Sequence, residues 1–271
     1  MSGNCNEDCA FCTQSIKYNA DINRYRYKSI EQIVDEAKRA KENGAIGYCL
    51  VTAGKGLDEK KTKFIAKAAR AIKKEINGFN LIACNGIATK EQLKFLKESG
   101  IDSYNHNLES SKEYYSKICT THSWEERFET ILNAKEVGLK VCSGGIFGMG
   151  ESKKDREALI ESLKKLNPDS VPINFFIPNP KLPLKERNID FNEALEVIKR
   201  VKEALPNARI MVAGGREQIF DSEEKELLMY KAGARAIVIG DYLTVKGREV
   251  ELDKDRLKRL GLKVARNCNG N

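Results

Sequence analysis

The sequence predicts an α/β fold, a (β/α)8 barrel of the TIM type that lacks or shortens its first strand. Three observations carry this. From residue 29 onward, segments of helical period alternate strictly with short strand-like runs, the pattern of a parallel sheet covered by helices. Gly44, Gly100, Gly138 and Gly233 each stand between a helix and its next strand, where helix-ending glycines sit. The strand-like runs number seven, one fewer than a closed barrel needs, and the absent one would precede Met1.

The elements follow in order. Residues 1–28 hold a cysteine-rich loop. A first helix is expected over Ser29 to Asn43, opened by the capping-box spacing of Ser29 and Gln32, and the strand Ile46 to Thr52 follows it. The lysine-rich helix Asp58 to Ile76 leads to the strand Leu81 to Cys84. Thr89 and Gln92 repeat the capping-box spacing at the head of Thr89 to Ser99, which precedes the strand Asp102 to Leu108. Trp124 to Val137 pairs with Leu139 to Ser143, and Lys153 to Leu166 with Val171 to Phe176. Three prolines make Pro178 to Asn188 a loop. Asn192 to Ala204 with Arg209 to Ala213, and Ser222 to Lys231 with Ala236 to Ile239, complete the alternation. No linker interrupts it, so residues 1–271 are expected to form a single domain.

Composition narrows the class. The 271 residues carry 47 Lys+Arg against 39 Asp+Glu, a net +8, with 41% apolar residues, a globular balance that excludes wholesale disorder. No apolar run approaches the roughly 18 residues that span a bilayer, and Met1 is followed by polar residues instead of a leader. A cytoplasmic protein with reduced thiols and no membrane partner is expected. The lysines of Lys60 to Lys74 alternate with Ala and Ile like a solvated helix face and lack interleaved aromatics, so no nucleic-acid partner is expected.

The strongest local signal is Cys5, Cys9 and Cys12 in a C-x3-C-x2-C triplet. Structural zinc wants four closed ligands, commonly as two pairs, and three thiolates in one loop leave a tetrahedron incomplete. They suit a 4Fe-4S cluster with one open iron. Strand parity adds a second thiol set. Where one parity packs against the helices, the other points into the barrel. Leu139 and Val141 turn Cys142 inward, Leu81 and Ala83 turn Cys84 inward, and Cys49 alternates with Tyr48 and Leu50. Ile210 and Val212 leave Arg209 and Met211 facing the interior. A buried cysteine is usually a small hydrophobe, but three on neighbouring strands favour ligation. In Asp102 to Leu108, Ser103, Asn105 and Asn107 form a polar row that needs a polar ligand, water or an internal network.

The triplet with Phe11 before its third cysteine, followed by a β/α barrel, resembles the radical S-adenosylmethionine superfamily. Tyr104 to Leu108, Lys140 to Ile146, Val171 to Asn174 and Gly215 to Gln218, in order at strand positions, resemble the biotin synthase family from residue 2 to about residue 263. The resemblance implies a radical enzyme that inserts sulfur into dethiobiotin, using a 4Fe-4S cluster on Cys5, Cys9 and Cys12, S-adenosylmethionine, and an auxiliary 2Fe-2S cluster as sulfur donor. It implies a flavodoxin or ferredoxin as reductant and a homodimer. It assigns Cys49, Cys84 and Cys142 to the auxiliary cluster, together with an arginine. That position holds Met211, with Arg209 two residues earlier on the same parity, so the fourth ligand is Arg209, Met211 or another group, Cys268 among the candidates, and the cluster type stays open. By the same resemblance Asn105, Asn107 and Asn174 bind the ureido ring of dethiobiotin. Asn107 and Glu109, where relatives commonly have aspartate, hold the ribose of S-adenosylmethionine. Arg127 pairs with its carboxylate, and Phe11, Ile146 and Ile177 line the adenine slot.

Other readings remain open at this point. One is a radical S-adenosylmethionine enzyme with another small substrate; a remote one is a zinc-stabilised RNA-binding module. His106 takes the helix-facing parity and His122 falls in a loop, so neither is given a metal. Cys119 and Cys268 have no spacing partner and read as free thiols. Asp241, Tyr242 and Thr244 follow the last strand with no assigned role. The pairs Gly144-Gly145 and Gly214-Gly215 suit close approach of a cofactor or tight packing equally.

Overall fold

The computed structural model of the chain describes residues 1–242 and 244–265; Cys268 lies outside them. After a 3-10 turn at Ile16–Tyr18 the order is α1 (Ile30–Glu42), β1 (Gly47–Val51), α2 (Glu59–Glu75), β2 (Asn80–Cys84), α3 (Lys90–Glu98), β3 (Ser103–Asn105), α4 (Lys112–Tyr115), α5 (Trp124–Glu136), β4 (Lys140–Cys142) and β5 (Gly145–Phe147). It continues with α6 (Lys153–Leu166), β6 (Ser170–Phe175), α7 (Phe191–Ala204), β7 (Arg209–Val212), α8 (Arg216–Ile219), α9 (Glu223–Ala232), β8 (Ala236–Ile237) and α10 (Val250–Arg259).

The strands form one parallel sheet in the order β1-β2-β3-β4-β6-β7-β8, with β5 also on β6. Among the described residues β1 and β8 pair with no further strand, so this is a partial TIM barrel left open between its two edges. Both expected capping boxes form at α1 and α3, and the same device opens α5, α6 and α7. The four helix-ending glycines all take positive φ. Parity sorts the side chains as the pattern predicts. Leu81, Ala83, Val141, Ile210 and Val212 are buried under the helices in one continuous core, while Cys84, Arg209 and Met211 on the other parity stay half-buried toward the cavity.

The structure corrects the expected seven strands to eight segments. The run expected over Leu139 to Ser143 ends at Cys142 and resumes at Gly145. At the break, the Gly144 N–H donates to Asn107 Oδ1 at 3.1 Å and its carbonyl accepts from Leu108 N–H at 2.9 Å, so a side chain replaces a ladder partner. A Cβ on Gly144 would lie 1.9 Å from the Pro172 carbonyl oxygen. Sheet packing therefore accounts for this glycine pair. Regular pairing of the strand expected over Asp102 to Leu108 is confined to Ser103–Asn105, and Ala236 to Ile239 shortens to two residues. The single-turn helices α4 and α8 and the helix α10 lie outside the expected elements.

Candidate active site

The cysteine loop is shaped by backbone bonds. Ile16 N–H donates to the Cys5 carbonyl at 2.9 Å and Cys12 N–H to the Cys9 carbonyl at 3.0 Å, closing the three thiols into one turn. Asp8 anchors the loop to the turn before α5: it accepts from Thr120 N–H at 2.9 Å and Thr121 N–H at 3.2 Å and from both hydroxyls. Against the cost of desolvation, these bonds hold its carboxyl well below the usual carboxylate range. Ala10 N–H donates to the Ile118 carbonyl at 2.8 Å, and Thr13 bonds Thr244 at 3.1 Å, tying the segment after β8 to the loop. Cys5 and Cys9 are buried and Cys12 half-buried. Burial raises the Cys5 thiol and pushes Cys12 up to about 11, so loading a metal here displaces protons.

Phe11, Cys12 and Ile146 pack against a second apolar cluster that contains Cys9 and is separate from the main core; Ile177 is half-buried outside it. Arg127 is no surface ion pair. It is 9% exposed, its Nε donates to the Tyr115 hydroxyl at 2.6 Å and its Nη1 to the Asn107 carbonyl at 2.8 Å, and Glu109 Oε1 stands 3.5 Å away. Glu109 has φ +67, a left-handed conformation uncommon for a side-chain-bearing residue, and its N–H and carbonyl bridge to Gly144 and Ile146. Burial pushes its carboxyl up, against the pull of Arg127.

The three amides are used differently. Asn105 Oδ1 is buried without a partner among the described residues. Asn107 spends its oxygen on Gly144 and reaches Glu109 at 3.4 Å. Asn174 spends both ends on backbone, donating to the Gly145 carbonyl at 3.2 Å and accepting from Gly214 N–H at 3.0 Å. Part of the polar row is thus an internal network, and the Asn105 oxygen is the atom left for a ligand.

Cys49, Cys84 and Cys142 stand on β1, β2 and β4 of the one sheet, with β3 between the last two. Val51 pairs with Cys84, and Asn105 on the intervening β3 pairs with Cys142. The neighbouring thiols Cys49 and Cys84 share a proton, which raises Cys49 and lowers Cys84, and Cys142 adds to the rise. Burial pushes the Cys142 thiol up to about 12, opposed by its bond to Ser170 and by the nearby Arg209. Cys49 is exposed because β1 is an edge strand. Met211 lies on β7 opposite Pro172 and Ala236.

Cys119 is a free thiol, as expected, but it does not stand alone. Its Sγ lies 3.6 Å from Cys9 Sγ, and His122 is buried beside both. Neither this pair nor Tyr115, Glu7 and Asp8 was singled out in the sequence, where no spacing rule joins residues 110 positions apart. Tyr242 bonds the Ala213 carbonyl at 2.9 Å and Asp241 accepts from Gly247 N–H at 3.1 Å, both structural roles. His106 is buried with Nε2 unpartnered among the described residues.

The donor sets fit iron–sulfur chemistry: three thiols in one turn and three on strands of one sheet, with the buried Arg127 and Glu109 acting electrostatically on Cys12 and Cys84 alike and the Asn105 oxygen without a partner among the described residues. No helix among the described residues is long and apolar enough to cross a membrane. Comparison with known proteins agrees with this chemistry. Residues 1–163 match the Radical SAM superfamily and residues 172–263 the Biotin and Thiamin Synthesis associated domain. The biotin synthase of a Sulfurovum species is 60% identical over 269 residues, 99% of this chain and 94% of the relative. That of a Nitratiruptor species is 57% identical, over 98% of this chain and 95% of its own. Two solved structures share the fold: the FeFe-hydrogenase maturase HydG of Carboxydothermus hydrogenoformans, with TM-score 0.82 and 18% identity over 98% of this chain and 67% of that one, and methylornithine synthase (PylB), with TM-score 0.82 and 22% identity over 98% and 81%.

Proposed function

Because the chain belongs to the biotin synthase family of the radical S-adenosylmethionine superfamily, and so converts dethiobiotin to biotin by radical sulfur insertion, we propose a division of labour among its residues. When bound, a 4Fe-4S cluster, S-adenosylmethionine and an auxiliary iron–sulfur cluster supply the reductive cleavage, the hydrogen-abstracting radical and the sulfur. Everything else is binding, orientation and exclusion of water by the protein.

Cys5, Cys9 and Cys12 would hold the first cluster, three thiolates for a group that can take a fourth ligand from S-adenosylmethionine. Arg127 receives that carboxylate. Its forked guanidinium is already desolvated and held by Tyr115, so little ordering remains to be done on binding. Asn107 and Glu109 hold the ribose, and Phe11, Ile146 and Ile177 the adenine. Asn105 offers its unpartnered oxygen to a ureido N–H of dethiobiotin, with Asn107 and Asn174 alongside. Cys49, Cys84 and Cys142 would hold the auxiliary cluster, of the 2Fe-2S type, and we assign Arg209 over Met211 as fourth ligand because Ser170 pairs with both Cys142 and Arg209, which sets Arg209 level with Cys142 across β6. The observation that supports this reading is that Glu109 and Arg127 act electrostatically on Cys12 of the loop and on Cys84 of β2 alike.

The reductant we propose is a flavodoxin or ferredoxin, which suits the +8 charge of the chain when the carrier is acidic. We also propose a cytoplasmic homodimer, and a single domain over 1–271, supported by β4–β6 and β5–β6 pairing across the boundary between the two family matches. The test is anaerobic reconstitution with iron and sulfide, with Mössbauer spectra of wild type and of Cys49→Ala/Cys84→Ala/Cys142→Ala. Two cluster populations in wild type and only a 4Fe-4S site in the variant are expected. Equal iron in both chains removes the auxiliary assignment.

A further inference from the structure

We propose that the cluster-free chain carries a site for one thiophilic divalent cation of the zinc type, made by Cys9, Cys119 and His122. The three residues come from the cysteine loop and from the turn between α4 and α5, and all are buried. Cys9 Sγ lies 3.6 Å from Cys119 Sγ, and His122 Nε2 lies 4.0 Å from the first sulfur and 3.8 Å from the second. Zinc bonds of about 2.3 Å to sulfur and about 2.0 Å to nitrogen in a tetrahedron set sulfurs about 3.8 Å apart and sulfur and nitrogen about 3.5 Å apart. The triangle in the protein is within about 0.5 Å of that on every side.

The surroundings fit as well. A metal-bound imidazole usually donates its second N–H to a carboxylate, which fixes the tautomer. His122 Nδ1 stands 2.7 Å from Glu7 Oε2 and 3.3 Å from Cys119 Sγ, so Nε2 becomes the ligand atom when Glu7 keeps Nδ1–H and Cys119 Sγ moves from the Nδ1 side of the ring toward Nε2. Arg127 Nη2 is 3.4 Å from that Nε2, and on binding the cation takes this lone pair while Arg127 keeps its bonds to Tyr115 and Asn107. Two thiolates balance the charge of a divalent ion, and three protein ligands leave the fourth tetrahedral position to water.

Cys9 belongs to both sets, so the cation and the 4Fe-4S cluster exclude one another. That consequence rests on the cluster assignment of the triplet; the cation site itself does not. Cys119 is the residue that creates the competition.

The test titrates the metal-free full-length chain with Co2+ under anaerobic conditions, followed by displacement with Zn2+. Strand thiols are removed as competitors in a parallel Cys49→Ser/Cys84→Ser/Cys142→Ser chain. One tetrahedral cobalt with charge-transfer absorption from two thiolates is expected, and it persists in Cys5→Ser/Cys12→Ser. Cys119→Ser halves that absorption, and both Cys119→Ser and His122→Gln weaken binding at least about tenfold. An unchanged spectrum in Cys119→Ser, or its loss in Cys5→Ser/Cys12→Ser, overturns the proposal. Reconstitution with iron and sulfide is read separately: prior zinc slows the brown chromophore in wild type and not in Cys119→Ser. Failure of both chains to form it without zinc counts against the cluster assignment alone.

Discussion

Arg216 Nη2 donates to Asp253 Oδ2 at 2.8 Å, joining α8 to α10 through side chains that are 1% and 2% exposed. Glu226 on α9 receives Arg216 at 3.3 Å and Arg256 at 3.1 Å, and Arg248 bonds both acids. Removing one member of a buried charge network leaves its partners desolvated, at a cost of roughly 3–5 kcal/mol. Arg216→Met is expected to lower the urea midpoint of the metal-free chain accordingly. A midpoint unchanged from wild type would remove this network from the determinants of the fold.

Gly144 and Gly44 separate two demands on glycine. Gly44 has φ +86 and open space around it, so Gly44→Ala is expected to cost about 1 kcal/mol from backbone conformation alone. Gly144→Ala forces Cβ into the Pro172 carbonyl and is expected to cost more, up to about 3 kcal/mol, by parting β4 from β6. Urea unfolding of the two variants checks the order.

Asn105 and Asn174 are predicted to fail differently. Asn105→Ala removes an oxygen without an internal partner, so stability stays within about 0.5 kcal/mol of wild type while KM for dethiobiotin rises about tenfold. Asn174→Ala strands the Gly145 carbonyl and the Gly214 N–H, and costs about 1–3 kcal/mol of stability as well. Steady-state kinetics paired with urea unfolding distinguish the two.

His106 sets an acid limit. Desolvation, with Arg127 and His122 adding, lowers its pKa well below 6.5, so the folded state binds fewer protons than the unfolded chain. Its stabilising contribution is complete above the unfolded value and is lost as pH falls below it, by up to about 1.4 kcal/mol per pH unit. Unfolding of wild type and His106→Gln at pH 7.5 and at pH 5.5 is expected to show the wild type losing more on acidification. Equal losses would clear His106 of the effect.

Much of the architecture was legible because it repeats. Helices of 13 to 17 residues such as α1 and α2 sum their periodicity over several turns, whereas α4 and α8 have four residues each and offer a single turn. The inward parity of Cys84 and Cys142 followed from apolar neighbours on their own strands. The break between β4 and β5 was hidden because it depends on the side chain of Asn107 from another strand. Asn174 looked like one more ligand-facing amide, since no local pattern tells an amide that holds backbone from one that awaits a substrate. Cys119 was invisible for a related reason: proximity across 110 residues is a property of the finished barrel.

The grip of Thr120 on Asp8 gives the chain a schedule. The residues that shelter the cysteine triplet are translated 112 positions after Asp8. At about 5–20 residues per second, the ribosome leaves these thiols without their pocket for on the order of ten seconds. Shelter for the triplet therefore waits until residue 120 has been made, and during that interval the nascent loop depends on the reducing power of the cell to keep its sulfurs usable.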